Sequence, residues 1–553
     1  MKNRFRVLAL LCALCLLFAT SCVGGRKPRE QVPDPALPTG NDPVDRDPDA
    51  DDPLGSDELA YTLTDADREH FSELLDRVKT LILTDRSDDE ETVGAAIDEL
   101  EDQYYHIATQ NQIAYIRYCM NEASQTRSDA YLYASSMLSD CFAEYQTVCL
   151  AIDRSDAPYR EAFFADWTEE EIEEMRGFSE EQTRLSKTND ELLVQFRSLS
   201  EADLNSRVPA LYLQFVRNND RIAELNHCET YADYAYAKVY ARDYTPAQAA
   251  AIHSNVKQYL APLGERVASD LHSCLQSLNE NERRVLIALF EGEYGLVWND
   301  IQGYLAAYPE QTKTDMASLF EPGNLFLTSS EKAHAGAFTA YLYEPERPIC
   351  YFGPGYHSAF TILHEMGHYY AAILGEDDDV QMDLAETQSQ SNEWLFAHYL
   401  VREKSENLGK AIYLYQLYSA LQTIVLSSII DEFEQSVYRE IPANADELET
   451  RMRTICEGYG GETAVGRYFG DPQLYWRSVT MESPCYYVSY AFSMLVATSF
   501  YDLAEADPAG ARETYLTIAG GDMGEMTYAA WLTSLGMQTP FDPALYQAIV
   551  ART

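Results

Sequence analysis

Basic residues are few in this 553-residue sequence: 41 lysines and arginines stand against 89 aspartates and glutamates, a formal net charge of −48. A surface that negative repels phosphate backbones, which argues against nucleic acid as a partner. Beyond Cys22 no CxxC pair occurs, which removes the usual cysteine-based metal and redox motifs from the body of the chain. Glycine is sparse between residues 60 and 290, no train of alternating strands is visible, and no internal repeat of fixed period stands out. What the chain has in quantity is apolar material, 46% of residues with 12% aromatic. That is ample for a large core, and the length suggests more than one domain or one two-lobed body.

The N-terminus reads as a targeting segment. Lys2, Arg4 and Arg6 precede an apolar run at residues 7–19, which is shorter than the roughly 20 residues needed to span a bilayer. The run ends in "FATSC", and this resembles a bacterial lipoprotein signal in which Cys22 is lipidated after removal of residues 1–21. Ala19 stands where such signals usually carry leucine; an ordinary secretion signal cut near Ser21 is the alternative. Residues 22–57 are rich in proline and aspartate and poor in apolar side chains, so they are expected to form a disordered tether. The expectation is a lipid-anchored protein on the outer side of a bacterial cell membrane. Eight cysteines follow Cys22 at irregular spacing, and they are expected to be buried free thiols.

From about Glu58 the pattern is helical. Ile97, Leu100, Tyr104, Ile107, Ala114 and Tyr118 recur at three-, four- and seven-residue intervals, and similar stripes run through residues 131–152 and 211–240. The texture changes near Ser318. Residues 336–352, "GAFTAYLYEPERPICYF", predict two short strands joined by a turn and ending at Gly353–Pro354–Gly355. Ser358 then offers an N-cap for a helix that stops near Gly375, and helices continue to the C-terminus. The division expected is a helical region over 58–330 and a second region over 331–553.

That capped helix carries "TILHEMGHYY", residues 361–370. His364 and His368 are four apart and share a helix face, so both can reach one ion. Glu365 lies about 100° around the helix, where it can take a proton from water activated by the metal. A hydrolytic zinc site needs three protein ligands and one open position. The third is expected from a second helix, residues 383–400, in which Glu386 comes first and Glu393 two turns later. The acidic loop at residues 377–379 could instead bind a cation, although a solvated loop is the simpler reading.

"HEMGH" followed by "ETQSQSNEW" resembles the HExGH plus ExxSxxxE arrangement of the thimet oligopeptidase and oligoendopeptidase F family of zinc peptidases. The resemblance implies Glu386 as the third ligand of one zinc ion per chain, with Ser389 and Glu393 as supporting residues. "KAHAGAF", residues 332–338, is similar to the segment ahead of the family's zinc helix. The strand near residues 349–353 would then be the edge that pairs with substrate backbone, in a cleft between two lobes. "YLTIAGGDM" and "SLGMQTPFDPALY" resemble the family's closing helices, so the likeness covers about residues 332–546. In "ESPCYYVSYAFSM", residues 482–494, the family supplies tyrosine hydroxyls to the developing oxyanion. Tyr486 and Tyr490 would share a face, with Tyr487 the choice in another register. The family's nearby histidine is missing, since the last histidine is His398.

The fold implied is mainly α, a two-lobed helical metallopeptidase with a small antiparallel β element ahead of the zinc helix. The activity implied is hydrolysis of oligopeptides with Glu365 as general base. A carboxydipeptidase of the angiotensin-converting type and a non-catalytic peptide-binding lipoprotein are the alternatives. His334 and His357 are open to substrate-contacting roles; His70, His106, His227, His253, His272 and His398 read as structural.

Overall fold

The computed structural model describes residues 60–553 except 84–89, 158, 165–166, 178–179, 198, 200, 293, 376–380 and 525. The signal segment, Cys22, the tether and the acidic loop at 377–379 lie outside the described residues. The chain divides into two units. One holds the described residues up to Thr183 together with Leu319–Tyr356, and the other holds Arg184–Ser318 with His357–Thr553.

In the first unit, helices α1 (Asp65–Leu83), α2 (Glu90–Met120) and α3 (Gln125–Asp153) pack on one another. The stripe of α2 supplies the core: Leu100, Tyr104, Ile107 and Ala114 are buried with Phe71, Val78, Leu138 and Tyr145. Large side chains of this kind contribute about 1.5–3 kcal/mol each when fully buried. The C-terminal part of α2 turns Ile113, Tyr115 and Ile116 against Phe338, Leu342, Ile349 and Tyr351 of a small sheet.

That sheet has three strands, β1 (Leu325–Leu327), β2 (Ala337–Leu342) and β3 (Arg347–Phe352), in the order β1-β3-β2. β2 and β3 form the expected hairpin, with Ala337 opposite Phe352 and Leu342 opposite Arg347. Two expectations are corrected. The element is mixed rather than antiparallel, because β1 runs parallel to β3 with Leu325 opposite Cys350. The strand expected at an edge is central, since β1 and β2 occupy both of its hydrogen-bonding sides. Gly353 ends β3 where a Cβ would stand 1.8 Å from the His334 carbonyl oxygen, so no side chain fits.

The second unit contains α4 (Glu201–Leu225), α5 (Ala359–Ile373), α6 (Met382–Glu403), α7 (Glu406–Arg439) and α8 (Val488–Ala506). The stripe over 211–240 does not make one helix. It stops at Leu225, His227 takes φ 59°, and helix resumes at Tyr231–Tyr234, running into a π-helical turn over Ala235–Val239. α6 packs against α5, α7 and α8 and is buried almost all round despite its polar sequence. Several of its polar groups are hydrogen-bonded, as burial demands. Asn392 Nδ2 donates to the Leu363 carbonyl at 2.6 Å, Gln388 Nε2 to the Ile518 carbonyl at 3.2 Å, and Gln390 Oε1 accepts from Ser493 at 2.9 Å. Among the described residues no helix is long and apolar enough to cross a membrane. The eight described cysteines are all free thiols, seven of them buried.

Candidate metal centre

Ser358 caps α5 as expected, its hydroxyl accepting from the Thr361 amide at 3.2 Å. One turn of helix then separates His364 from His368, whose ring centroids are 5.1 Å apart. What brings a carboxylate to them is the crossing of α5 and α6. At Gly367 an added Cβ would lie 2.6 Å from Ser389 Cα and 2.9 Å from the Gln388 carbonyl oxygen. The missing side chain lets the two backbones touch, and Glu386, one turn before the contact, reaches across.

Ligand atoms of His364, His368 and Glu386 all lie within 4.8 Å of one another. Glu386 Oε2 stands 3.7 Å from His364 Nε2 and 3.9 Å from His368 Nε2. These separations are too long for hydrogen bonds. They are near the roughly 3.4 Å that separates ligands around a tetrahedral ion with bonds of about 2.0–2.1 Å. His368 Nε2 is buried and has no hydrogen-bond partner among the described residues. An unsatisfied buried acceptor costs about 1–3 kcal/mol, a penalty removed if the lone pair binds a cation. The donor set and its geometry fit a zinc ion. Among the described residues it is the one group of three or more such side chains so arranged.

The supporting contacts suit the same purpose. Glu393 Oε1 lies 2.7 Å from His364 Nδ1, and Gln416 Nε2 on α7 donates to Glu393 Oε2 at 3.1 Å. A proton on Nδ1 leaves Nε2 free to bind metal, the usual carboxylate–histidine arrangement. Ser389 donates to the Glu386 main-chain carbonyl at 3.0 Å and stands 3.4 Å from Glu386 Oε2. The Tyr486 hydroxyl donates to Glu386 Oε1, so the two carboxylate oxygens face different partners.

Electrostatics describe a pocket short of positive charge. Burial pushes the Glu386 carboxyl up to about 7, against the opposing pull of His364 and Tyr486. Burial pulls His364 down, but the hydrogen bond and charge of Glu393, with Glu365 and Glu386, carry it up to about 9. His368 is held well below its ordinary value by burial and by the charge on His364. A divalent ion would reverse the cost of burying the carboxylates. Glu365 is fully buried and its charge acts on both His364 and Glu386.

The tyrosines form one cluster. The Tyr490 ring packs edge-on against Tyr486 at 5.0 Å and against Tyr487 at 5.5 Å. Tyr487 is buried against Tyr475, and burial raises its hydroxyl well above the ordinary value. Tyr486 has a single O–H and directs it at Glu386; Tyr490 stands at the half-buried border of the cluster. His398 lies 3.1 Å from Glu505 and packs on Tyr501, and His334 pairs with Glu122 at 2.9 Å in the first unit. His357 is buried. Gln416 and Asn392 belong to no motif legible in the sequence, and the part played by Gly367 emerges only from the helix crossing.

Solved structures share this fold. The chain is similar to Pz peptidase A with its inhibitor (TM-score 0.69, 14% identity, 89% of this chain and 97% of that one). It is also similar to a Bacillus anthracis protein assigned as an oligoendopeptidase F (0.67, 14%, 89% and 96%). A third is oligoendopeptidase F from Enterococcus faecium (0.52, 13%, 88% and 96%). No family model and no curated protein matches.

Proposed function

We propose that this chain is a zinc-dependent peptidase of oligoendopeptidase type, acting on oligopeptides and held at a membrane surface by a lipid on Cys22. The observation that carries the reading is the His364, His368 and Glu386 group with Glu365 beside it, on a fold shared with peptidases. Bound zinc would supply a Lewis acid that polarises the scissile carbonyl and acidifies water.

The protein's own residues do the rest. His364 and His368 bind through Nε2, and Glu393 keeps the His364 proton on Nδ1. Glu386 completes the set through Oε2. Glu365, one residue after the first ligand, accepts a proton from the attacking water and passes it to the leaving amine. Tyr490 is the hydroxyl offered to the developing oxyanion, because the O–H of Tyr486 is directed at Glu386.

The test is Glu365→Gln, measured by elemental analysis and by hydrolysis of an internally quenched peptide. Zinc should stay at one per chain while turnover falls by a factor of about 10²–10⁴ or more. A variant that keeps most of its turnover overturns the mechanism. Blocking the C-terminus of the peptide distinguishes this reading from a carboxydipeptidase, which would lose the substrate.

A further inference from the structure

The turn that carries Tyr486 is held in an unusual way. Four non-glycine residues among those described have positive φ, and two of them, Ala241 (47°) and Cys485 (61°), flank one contact. Arg242 donates from Nη1 to the Cys485 carbonyl at 3.0 Å, and from Nη2 to the Tyr486 carbonyl at 3.0 Å and Ser489 Oγ at 2.7 Å. Its guanidinium is wholly buried, lies over the rings of Tyr236 (4.3 Å) and Tyr240 (4.5 Å), and faces Asp383 at 3.4 Å. The same turn receives two further bonds. Glu434 Oε1 accepts from the Cys485 amide at 3.0 Å, and the Tyr240 hydroxyl donates to the Pro484 carbonyl at 2.7 Å. Three successive carbonyls and one amide are thus fixed by side chains from outside the turn.

Strained backbone persists only where its surroundings over-determine it, and it concentrates at functional positions. The π-helical turn Ala235–Val239, just ahead of Arg242, is another such irregularity. The output of the arrangement is one hydroxyl: Tyr486 donates to Glu386 Oε1, and Oε2 is left toward both imidazole nitrogens. We propose that Arg242 is a positioning residue which, by locking the Cys485–Tyr486 turn, makes Glu386 bind metal through one oxygen. This rests on the metal assignment above.

The experiment measures zinc affinity of the full-length protein by competition with a chromophoric chelator. It compares wild type, Arg242→Lys, Tyr486→Phe and the double variant, with melting temperatures recorded. Lysine keeps the charge but lacks the fork that holds two carbonyls. Each single change should weaken zinc about tenfold, the lower end of the usual effect of groups that orient metal ligands. The double variant should be no more than about twofold weaker than Tyr486→Phe, because both act through one hydroxyl.

Should Arg242→Lys fail to fold, Tyr240→Phe takes its place. It keeps the ring contact with Tyr486 at 5.5 Å and removes only the bond to Pro484. Multiplying effects, or wild-type affinity in Tyr486→Phe or in the folded partner variant, overturn the inference alone. A wild type without zinc, or zinc retained in His364→Ala, overturns the metal assignment and the inference with it.

Discussion

Gly367→Ala tests whether the helix crossing builds the metal centre. In an ordinary exposed helix the change would stabilise by about 0.5–1 kcal/mol, since alanine has less backbone freedom to lose. Here the new methyl would stand 2.6 Å from Ser389 Cα, about 1 Å short of the 3.5–4.0 Å at which carbon atoms rest. Ser389 Cα and the Gln388 carbonyl oxygen are both backbone, so α5 and α6 must part. Overpacking of this kind costs about 1–3 kcal/mol, which outweighs the propensity gain and reverses its sign.

The same displacement acts on Glu386. Its Oε2 begins 3.7 and 3.9 Å from the two imidazole nitrogens. Added separation takes it out of reach of an ion bonded to both at about 2.0–2.1 Å. Zinc affinity by chelator competition should fall tenfold or more, and the melting temperature should drop by about 1–3 °C, because an unfolding entropy of about 2 cal/mol/K per residue makes each kcal/mol worth about 1 °C in a chain this long. A variant as stable as wild type, with unchanged zinc affinity, would refute the reasoning.

Glu386→Ala should lose zinc as completely as loss of either histidine; full occupancy by elemental analysis would move the third ligand elsewhere, with Glu393 the next choice. Tyr490→Phe is expected to lower turnover about 10²–10³-fold with zinc retained, the usual effect of removing one oxyanion donor. An effect confined to KM would make it a binding residue, and Tyr487→Phe, buried away from the cluster's border, serves as the control. In a bacterial host, labelled fatty acid should mark the wild-type protein and leave Cys22→Ser unmarked. Untagged wild-type protein in the medium would favour an ordinary secretion signal.

The parts legible in the sequence were those encoded within one helix or between neighbouring ones. HEMGH shows its ligand spacing without help, and the Glu386 helix follows closely enough for its register to be read. The hairpin of β2 and β3 announced itself through residue types and its prolines. β1 did not, because three residues, Leu325–Leu327, are too short to show an alternating pattern. Missing it turned a central strand into an apparent edge. Arg242 was invisible for another reason: it precedes the turn it holds by more than two hundred residues, and neither local pattern mentions the other. The break in the stripe after Leu225 depends on a left-handed His227, which no apolar periodicity forbids.

The buried thiols bear on how this protein can be unfolded and recovered. Folded, seven of the eight described cysteines are shut away from oxidants and from one another. Unfolded, all eight become reactive at once, and eight thiols allow on the order of a hundred complete pairings. Since the native structure uses none of these, every crosslink made during denaturation in air diverts chain from refolding. Melting without a reductant should therefore be irreversible and dependent on scan rate, so that its midpoint reports a race between oxidation and refolding.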